Sequence, residues 1–124
     1  MMTPAPPSRN GNFPKLLSPL QIKSLRLRNR IVMPAMHLPR PDGRRPDESL
    51  TRFYAERACG GTGLIMIGGC GIDRVGSAPG TLGIDTDEYR ADYERLNEAL
   101  KRHGAATGIQ LFHAGRYARS VETG

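Results

Sequence analysis

Apolar residues occur along the chain in two patterns, and the alternation of these patterns predicts the order of its elements. Short apolar runs are centred near Met33, Ile65 and Ile109. Two stretches with helical spacing lie between them. Leu64–Ile67 is apolar at every position, which is typical of a strand covered on both faces, as parallel strands are. We therefore expect a parallel α/β sheet with the order strand, helix, strand, helix, strand.

The region before the first helix carries signals for a hairpin and a strand. Residues 16–27 alternate around Lys23-Ser24 and predict a short hairpin. The apolar run at 30–36 predicts a buried strand that ends near Pro34, because proline cannot donate to a strand ladder.

Both helices have recognisable ends and one apolar face. The first is expected to begin near Asp47-Glu48, since acidic side chains favour the helix N-terminus, and to end at Gly60-Gly61. The second is expected to begin with a capping box from Asp85 to Glu88 and to end at Gly104. The positions expected in the core are Leu50, Phe53, Tyr54 and Ala58 in the first helix, and Tyr89, Tyr93, Leu96 and Leu100 in the second.

A glycine-rich stretch separates the second strand from the second helix. Residues 68–83 contain six glycines and one proline and are expected to form a loop. Arg74 stands where the dinucleotide-binding fingerprint requires its third glycine. The spacing of Gly71 and Gly76 resembles a phosphate-binding loop, but the lysine of that motif is missing. Neither nucleotide motif is therefore present.

Composition limits the class of protein. The chain has 124 residues, a mass of 13.6 kDa and 38% hydrophobic residues, which suits one globular domain. No apolar run approaches the roughly 18 residues of a spanning helix, so no membrane partner is expected. Two cysteines without a matching ligand pattern favour neither a disulfide scaffold nor a metal site. Residues 1–13 are expected to be a disordered, proline-rich leader without a signal segment, which predicts a cytoplasmic protein.

The charge is basic but dispersed. The chain carries 18 Lys+Arg against 12 Asp+Glu, for a net charge of +6. Acidic residues are interleaved with these cations, which form no run of five or six. A solvated surface with some anion-binding positions is favoured over a nucleic-acid face, so no nucleic-acid partner is expected.

The candidate chemistry lies at the predicted strand ends. In parallel α/β proteins, ligands bind at the carboxyl ends of the strands. Here these ends are occupied by residues 34–37, 68–71 and 110–116, which are unusual for simple connectors. Small residues at the second end would let a planar ligand approach the backbone closely.

Individual residues at these ends leave alternatives open. Gln110 is either a buried amide bonded to neighbouring backbone or a bidentate partner for the paired N–H and C=O of a heterocycle. His37 and His113 are more typical of structural hydrogen-bond partners than of catalysts. Cys70 is more typical of a small packed residue than of a reactive thiol. Arg116 would contact a phosphate or cap the strand end.

Four segments together resemble the opening of the old yellow enzyme family of flavin oxidoreductases. They are Arg28–His37, Phe53–Ala58, Leu64–Gly69 and Gln110–Tyr117. The resemblance covers about residues 13 to 121 and is nearest to the 2,4-dienoyl-CoA reductase branch. It implies a (β/α)8 TIM barrel, which needs about 250 residues. The expected fold class is therefore α/β and a partial barrel, in which residues 14–124 supply the N-terminal hairpin and three βα units.

The resemblance also implies the cofactor and the site. FMN would carry a hydride from NAD(P)H to an activated C=C bond of a small alkene or an enoyl thioester. The residues implied to line the flavin from the end of the first strand are Pro34, Ala35, Met36 and His37. Gly69 would lie against the ring, and Gln110 would hydrogen-bond its pyrimidine edge. This agrees with the strand-end argument and favours the ligand-binding interpretation of Gln110.

The same resemblance sets limits on the chain. Ala35-Met36 provides neither the cysteine nor the threonine with which some family members tune the flavin. The catalytic acid, the substrate anchors and the phosphate-binding loops would lie beyond Gly124, as would any iron–sulfur cluster or FAD. We therefore assign no catalytic residue here, and we expect the 124-residue chain alone to bind FMN weakly and to have little activity.

A second hypothesis is a non-catalytic flavin-binding or protein-interaction module. An open three-stranded parallel sheet leaves unpaired edges, and such edges would favour self-association. A compact monomer on size-exclusion chromatography would support the module.

Overall fold

A hairpin precedes the main sheet in the computed structural model, which describes residues 12–39 and 43–118. One helical turn, α1 (Pro14–Leu17), leads into strands β1 (Leu20–Ile22) and β2 (Leu25–Leu27), which pair antiparallel. Lys23 occupies the turn with φ 50°. The predicted hairpin is confirmed. Most of the expected leader, residues 1–13, lies outside the described residues.

A parallel sheet follows, with its longest strand in the middle. Its strands are β3 (Val32–Met33), β4 (Leu64–Gly71), β5 (Leu82–Gly83) and β6 (Ala106–Phe112). Strand β4 pairs in parallel with β3 and β6, and its last two residues pair with β5. The expected loop at 68–83 was wrong at both ends, because the two ends of that glycine-rich stretch form strand pairs.

Two helices cover one face of this sheet. Helix α2 (Glu48–Cys59) begins after Asp47, whose side chain accepts a hydrogen bond from the N–H of Leu50 at 2.8 Å. Helix α3 (Arg90–Arg102) follows a short 3-10 turn at Asp87–Tyr89. The predicted helices are confirmed, but the predicted capping box is wrong: the side chain of Thr86, not that of Asp85, caps the turn.

The hydrophobic core lies between the helices and the covered sheet face. It consists of Leu50, Tyr54, Ala58, Ile65, Ile67, Cys70, Leu82, Leu96, Leu100 and Ala105. Leu64 and Met66 point the other way and are only half-buried. Within the described residues only the face that carries Ile65 and Ile67 is covered, so the expected cover on both faces of Leu64–Ile67 is not observed there.

Arg28 joins the ends of both helices. Its guanidinium donates hydrogen bonds to the carbonyl oxygens of His103 at 2.5 Å, Ala58 at 2.6 Å and Thr62 at 2.9 Å. These carbonyls lie at the C-terminal ends of the helices, where the helix dipoles favour a cation. The next residue, Asn29, is buried and donates to the carbonyl of Gly61 at 2.7 Å. The segment before β3 is thus held against the C-terminal ends of both helices.

The described residues form the opening of a (β/α)8 arrangement and do not close into a barrel. Strands β3, β4 and β6 are parallel neighbours, and helices α2 and α3 connect them in sequence. This is the partial barrel that the family resemblance implies. None of the helices in the described part of the chain is long and apolar enough to span a membrane.

Candidate functional site at the strand ends

Three strands end at the same edge of the sheet. Because β3, β4 and β6 are parallel, the segments after them gather at their carboxyl ends. Residues 34–37 follow β3, Gly68–Gly71 end β4, and Gln110–Phe112 end β6. The structure thus brings the predicted strand-end residues to one side of the molecule.

Strand β4 contains an irregularity beside Gln110. Ile67 pairs with Ile109, whereas the next regular pair joins Cys70 to Leu111. Two residues of β4, Gly68 and Gly69, therefore stand opposite the single residue Gln110. Bulges of this kind often lie next to functional sites, where they redirect a side chain.

Both residues of the bulge have to be glycine. A Cβ on Gly68 would lie 2.9 Å from the Cβ of Gln110, and Gly68 also has φ +155°. A Cβ on Gly69 would lie 2.9 Å from the Cβ of Phe112 and 3.5 Å from Oε1 of Gln110. Any larger residue would push β6 away from β4, so the glycines allow side chains of β6 to lie across the β4 backbone.

Gln110 itself is exposed. Within the described residues it is therefore not the buried, backbone-bonded amide of the first alternative, since β6 is the outer strand of the described sheet. Within residues 12–39 and 43–118, no group hydrogen-bonds the Gln110 side chain. An exposed amide beside glycine backbone fits a planar heterocycle that presents a donor and an acceptor together.

The segment after β3 is irregular. Strand β3 contains only Val32 and Met33, and the residues that follow have no regular structure. Pro34, Met36 and His37 are exposed, and Ala35 is half-buried. The strand predicted to end near Pro34 contains only Val32 and Met33, and the expectation that it is buried is wrong, because the side chain of Val32 is exposed. Its exposed end leaves these four side chains available for contact with a ligand.

Cys70 is buried next to a tyrosine hydroxyl. The Tyr93 hydroxyl lies 3.3 Å from its sulfur and donates to the carbonyl of Gly83 at 2.9 Å. Burial raises the pKa of the Cys70 thiol and also that of Tyr93. Both groups are therefore protonated at neutral pH, and the interpretation of Cys70 as a packed residue is confirmed.

Sequence reasoning did not find the contacts of Arg44. Its guanidinium donates to Asp85 at 2.6 Å and to the carbonyl of Asp73 at 3.2 Å, while its own carbonyl accepts from the N–H of Gly83 at 2.8 Å. The hydrogen bond from Arg44 holds the pKa of Asp85 below its usual value. Arg44 thus ties the loop after β3 to the ends of β4 and β5. The only sequence signal was an arginine pair in a proline-rich loop.

His113 has structural partners at the end of β6. Its Nε2 lies 3.1 Å from Oδ2 of Asp73, and its Nδ1 accepts from the N–H of Gly115 at 2.8 Å. Arg116 is exposed and its guanidinium contacts the Tyr117 hydroxyl at 3.1 Å. The part of the chain that the structure describes contains no cluster of three metal-ligating side chains.

The parallel sheet and its connecting helices define the opening of a TIM barrel. Residues 15–123 match the NADH:flavin oxidoreductase / NADH oxidase family. The chain belongs to this family, and the resemblance to the old yellow enzymes is confirmed.

Several relatives share this region. A metal reductase of Desulforamulus reducens is 50% identical over 110 residues, and an NADPH dehydrogenase of Bacillus subtilis is 38% identical over 109 residues. These alignments cover 88% and 84% of this chain. A solved structure of morphinone reductase in complex with tetrahydroNAD matches with a TM-score of 0.77 and 33% identity over 85% of this chain.

The chain is much shorter than these proteins. It spans 16% of the metal reductase, 32% of the NADPH dehydrogenase and 29% of the morphinone reductase chain. The shared region therefore corresponds to less than a third of the metal reductase and of the morphinone reductase, and to about a third of the NADPH dehydrogenase.

Proposed function

We propose that these residues form the N-terminal part of an FMN site in an NAD(P)H-dependent oxidoreductase. The observation that carries the proposal is the bulge of Gly68 and Gly69 opposite the exposed amide of Gln110. When bound, FMN supplies the chemistry that moves a hydride from NAD(P)H to an activated C=C bond. The family and the named relatives support the cofactor and the reductant.

Each proposed residue has a distinct task. Gln110 would bind the pyrimidine edge, because a primary amide provides a donor and an acceptor about as far apart as those of the heterocycle. Gly69 would let the ring approach the backbone. The remaining contacts would come from the exposed segment after β3, that is from Pro34, Ala35, Met36 and His37.

The substrate remains a proposal from the sequence. We propose a small alkene conjugated to a carbonyl, or an enoyl thioester of the kind that the 2,4-dienoyl-CoA reductase branch reduces. Assays with NADH and with NADPH, using an α,β-unsaturated ketone or an enoyl thioester as acceptor, distinguish these substrates. The 124-residue chain alone is proposed to bind FMN weakly and to turn over little NAD(P)H.

The test measures the affinity of the whole protein, as its gene encodes it, for FMN. Binding is followed by the quenching of flavin fluorescence. Gln110→Leu removes the paired donor and acceptor, and we expect FMN affinity to fall about tenfold or more, the range for a lost bidentate contact. Gly69→Val should have a similar effect by filling the space beside Phe112. Gln21→Leu makes the same change on β1 and serves as the matched control. Unchanged affinity in Gln110→Leu would refute the proposal.

A further inference from the structure

Three segments meet just beyond the last paired residues of β4 and β6. Gly71 pairs with Phe112, the N–H of Ile72 donates to the carbonyl of Phe112 at 3.2 Å, and the next contact joins Asp73 to His113. The N–H of Gly76 donates to Oδ1 of Asp73 at 2.5 Å. We call the side chains of His113 and Asp73, with the backbone of Gly76 and Gly115, the strand-end clasp.

The hydrogen bonds of the clasp specify one form of the imidazole. Because the N–H of Gly115 donates to Nδ1 of His113 at 2.8 Å, this nitrogen carries no proton. The proton of the neutral ring is therefore on Nε2, which faces Oδ2 of Asp73 at 3.1 Å. The carboxylate uses one oxygen for the ring and the other for Gly76, so it ties the loop after β4 to the end of β6.

Gly76 lies directly against the histidine ring. A Cβ at this position would overlap the imidazole, so only glycine permits the contact. The carbonyl of Gly76 also accepts from the N–H of Ala114 at 2.7 Å. The ring is thus held by contacts on two sides as well as by its two nitrogens.

The position of the clasp relative to the bulge suggests its purpose. On the N-terminal side of the bulge, the pair of Ile67 and Ile109 fixes the register of β4 against β6. On the C-terminal side of the bulge, only two residue pairs, Cys70 with Leu111 and Gly71 with Phe112, precede the clasp. A strand whose register shifts by one residue reverses the direction of every side chain beyond the shift. Contacts that hold the ends of both strands therefore hold the direction of Gln110.

We infer that the strand-end clasp is a positioning device that aims the amide of Gln110 at the flavin. This inference rests on the proposed FMN site. The side chains of His113 and Asp73 are 41% and 48% exposed, and exposed pairs of this kind contribute little to global stability. The effect of the clasp is local: it restricts the bulge to one arrangement of Gly68, Gly69 and Gln110.

The experiment compares FMN affinity and stability in variants of the protein as its gene encodes it. His113→Asn keeps an acceptor near the Gly115 N–H and loses the donor to the carboxylate. Asp73→Asn has a single acceptor oxygen, so it cannot accept from both the ring and the Gly76 N–H as the carboxylate does. We expect each variant to bind FMN about fivefold to tenfold more weakly, the size of effect expected when a contact coupled to the Gln110 amide is removed. The Tm of each should change by less than about 4 °C, because exposed pairs contribute little to stability. Glu88→Gln removes an exposed carboxylate elsewhere and is the control.

A double-variant cycle separates positioning from general structural damage. If the clasp acts through the amide, His113→Asn should lose its effect on FMN affinity when Gln110 is already leucine. An effect of equal size in both backgrounds overturns the inference. Full affinity in His113→Asn and Asp73→Asn, with weak binding in Gln110→Leu, also overturns it while the proposed FMN site stands. If Gln110→Leu binds FMN normally, or the parent protein binds none, the proposed function fails and the inference fails with it.

Discussion

Arg28 provides the sharpest test of how this fold is held together. Its guanidinium donates to three backbone carbonyls, those of His103, Ala58 and Thr62, at distances of 2.5 to 2.9 Å. The acceptors belong to the backbone and stay in place when the arginine is replaced. Arg28→Met therefore leaves three carbonyls at two helix ends without their charged donor.

The expected cost follows from these contacts. A hydrogen bond to a charged group contributes about 1.5–3 kcal/mol. The three bonds are not additive, and burial lowers the pKa of Arg28 because desolvation opposes its charge. We therefore expect Arg28→Met to lower the free energy of unfolding by about 2–4 kcal/mol, more than one such hydrogen bond contributes and less than the sum of three.

Urea unfolding followed by circular dichroism measures this cost. Arg28→Lys keeps the charge but presents a single ammonium in place of the planar fork, so we expect about half of the loss. Arg26→Met removes an exposed arginine two positions earlier and should lie within about 0.5 kcal/mol of the parent protein. A cost below about 1 kcal/mol for Arg28→Met, with an unchanged m-value, would refute the reasoning.

Three further predictions concern single contacts. The pKa of Asp85 is lower in the folded protein than in the unfolded chain. Its contact with Arg44 therefore contributes stability above about pH 4, the usual pKa of Asp. This contribution is lost as the pH falls through the pKa of the folded state. Asp85→Asn should therefore unfold at lower urea concentration than the parent at pH 7, and the difference should shrink at pH 3; a constant difference contradicts the assignment. In the native protein a thiol reagent should label half-buried Cys59 and should reach Cys70 only after unfolding. The reason is that Cys70 is fully buried and its pKa is raised. Rapid labelling of a native Cys59→Ser variant would contradict this prediction, because it would show that Cys70 is accessible. Asp47→Ala should cost about 1 kcal/mol of stability by removing the N-cap of α2, and Asp47→Ser should recover most of it.

Local patterns were sufficient for the order of the elements. Hydrophobic spacing depends on residues only a few positions apart. It therefore located the hairpin, both helices and the three parallel strands β3, β4 and β6. It also identified the buried residues Leu96 and Leu100 of α3, and Tyr89 in the turn before that helix. The same reasoning placed the candidate ligand residues at the strand ends, because parallel topology alone determines where those ends meet.

Contacts between distant parts of the chain could not be predicted in this way. Composition gave the segment 68–83 the properties of a loop, yet pairing with β6 extends β4 to Gly71 and pairing with β4 forms β5. The failure of the predicted capping box has a related cause. Asp85 is bound by Arg44, which is 41 residues away, and Thr86 therefore caps the turn.

The sequence by itself determined the order of the parallel α/β elements and the residues at the strand ends, since both depend on local spacing and composition. The partial barrel came from the family resemblance of its motifs. Only the tertiary structure decided that Gly68 and Gly69 bulge opposite an exposed Gln110, and that Arg28 joins helix ends up to 75 residues away. The physical reason is that register and hydrogen-bond partners are set by strand pairing and packing. Neither is recorded in the pattern of neighbouring residues.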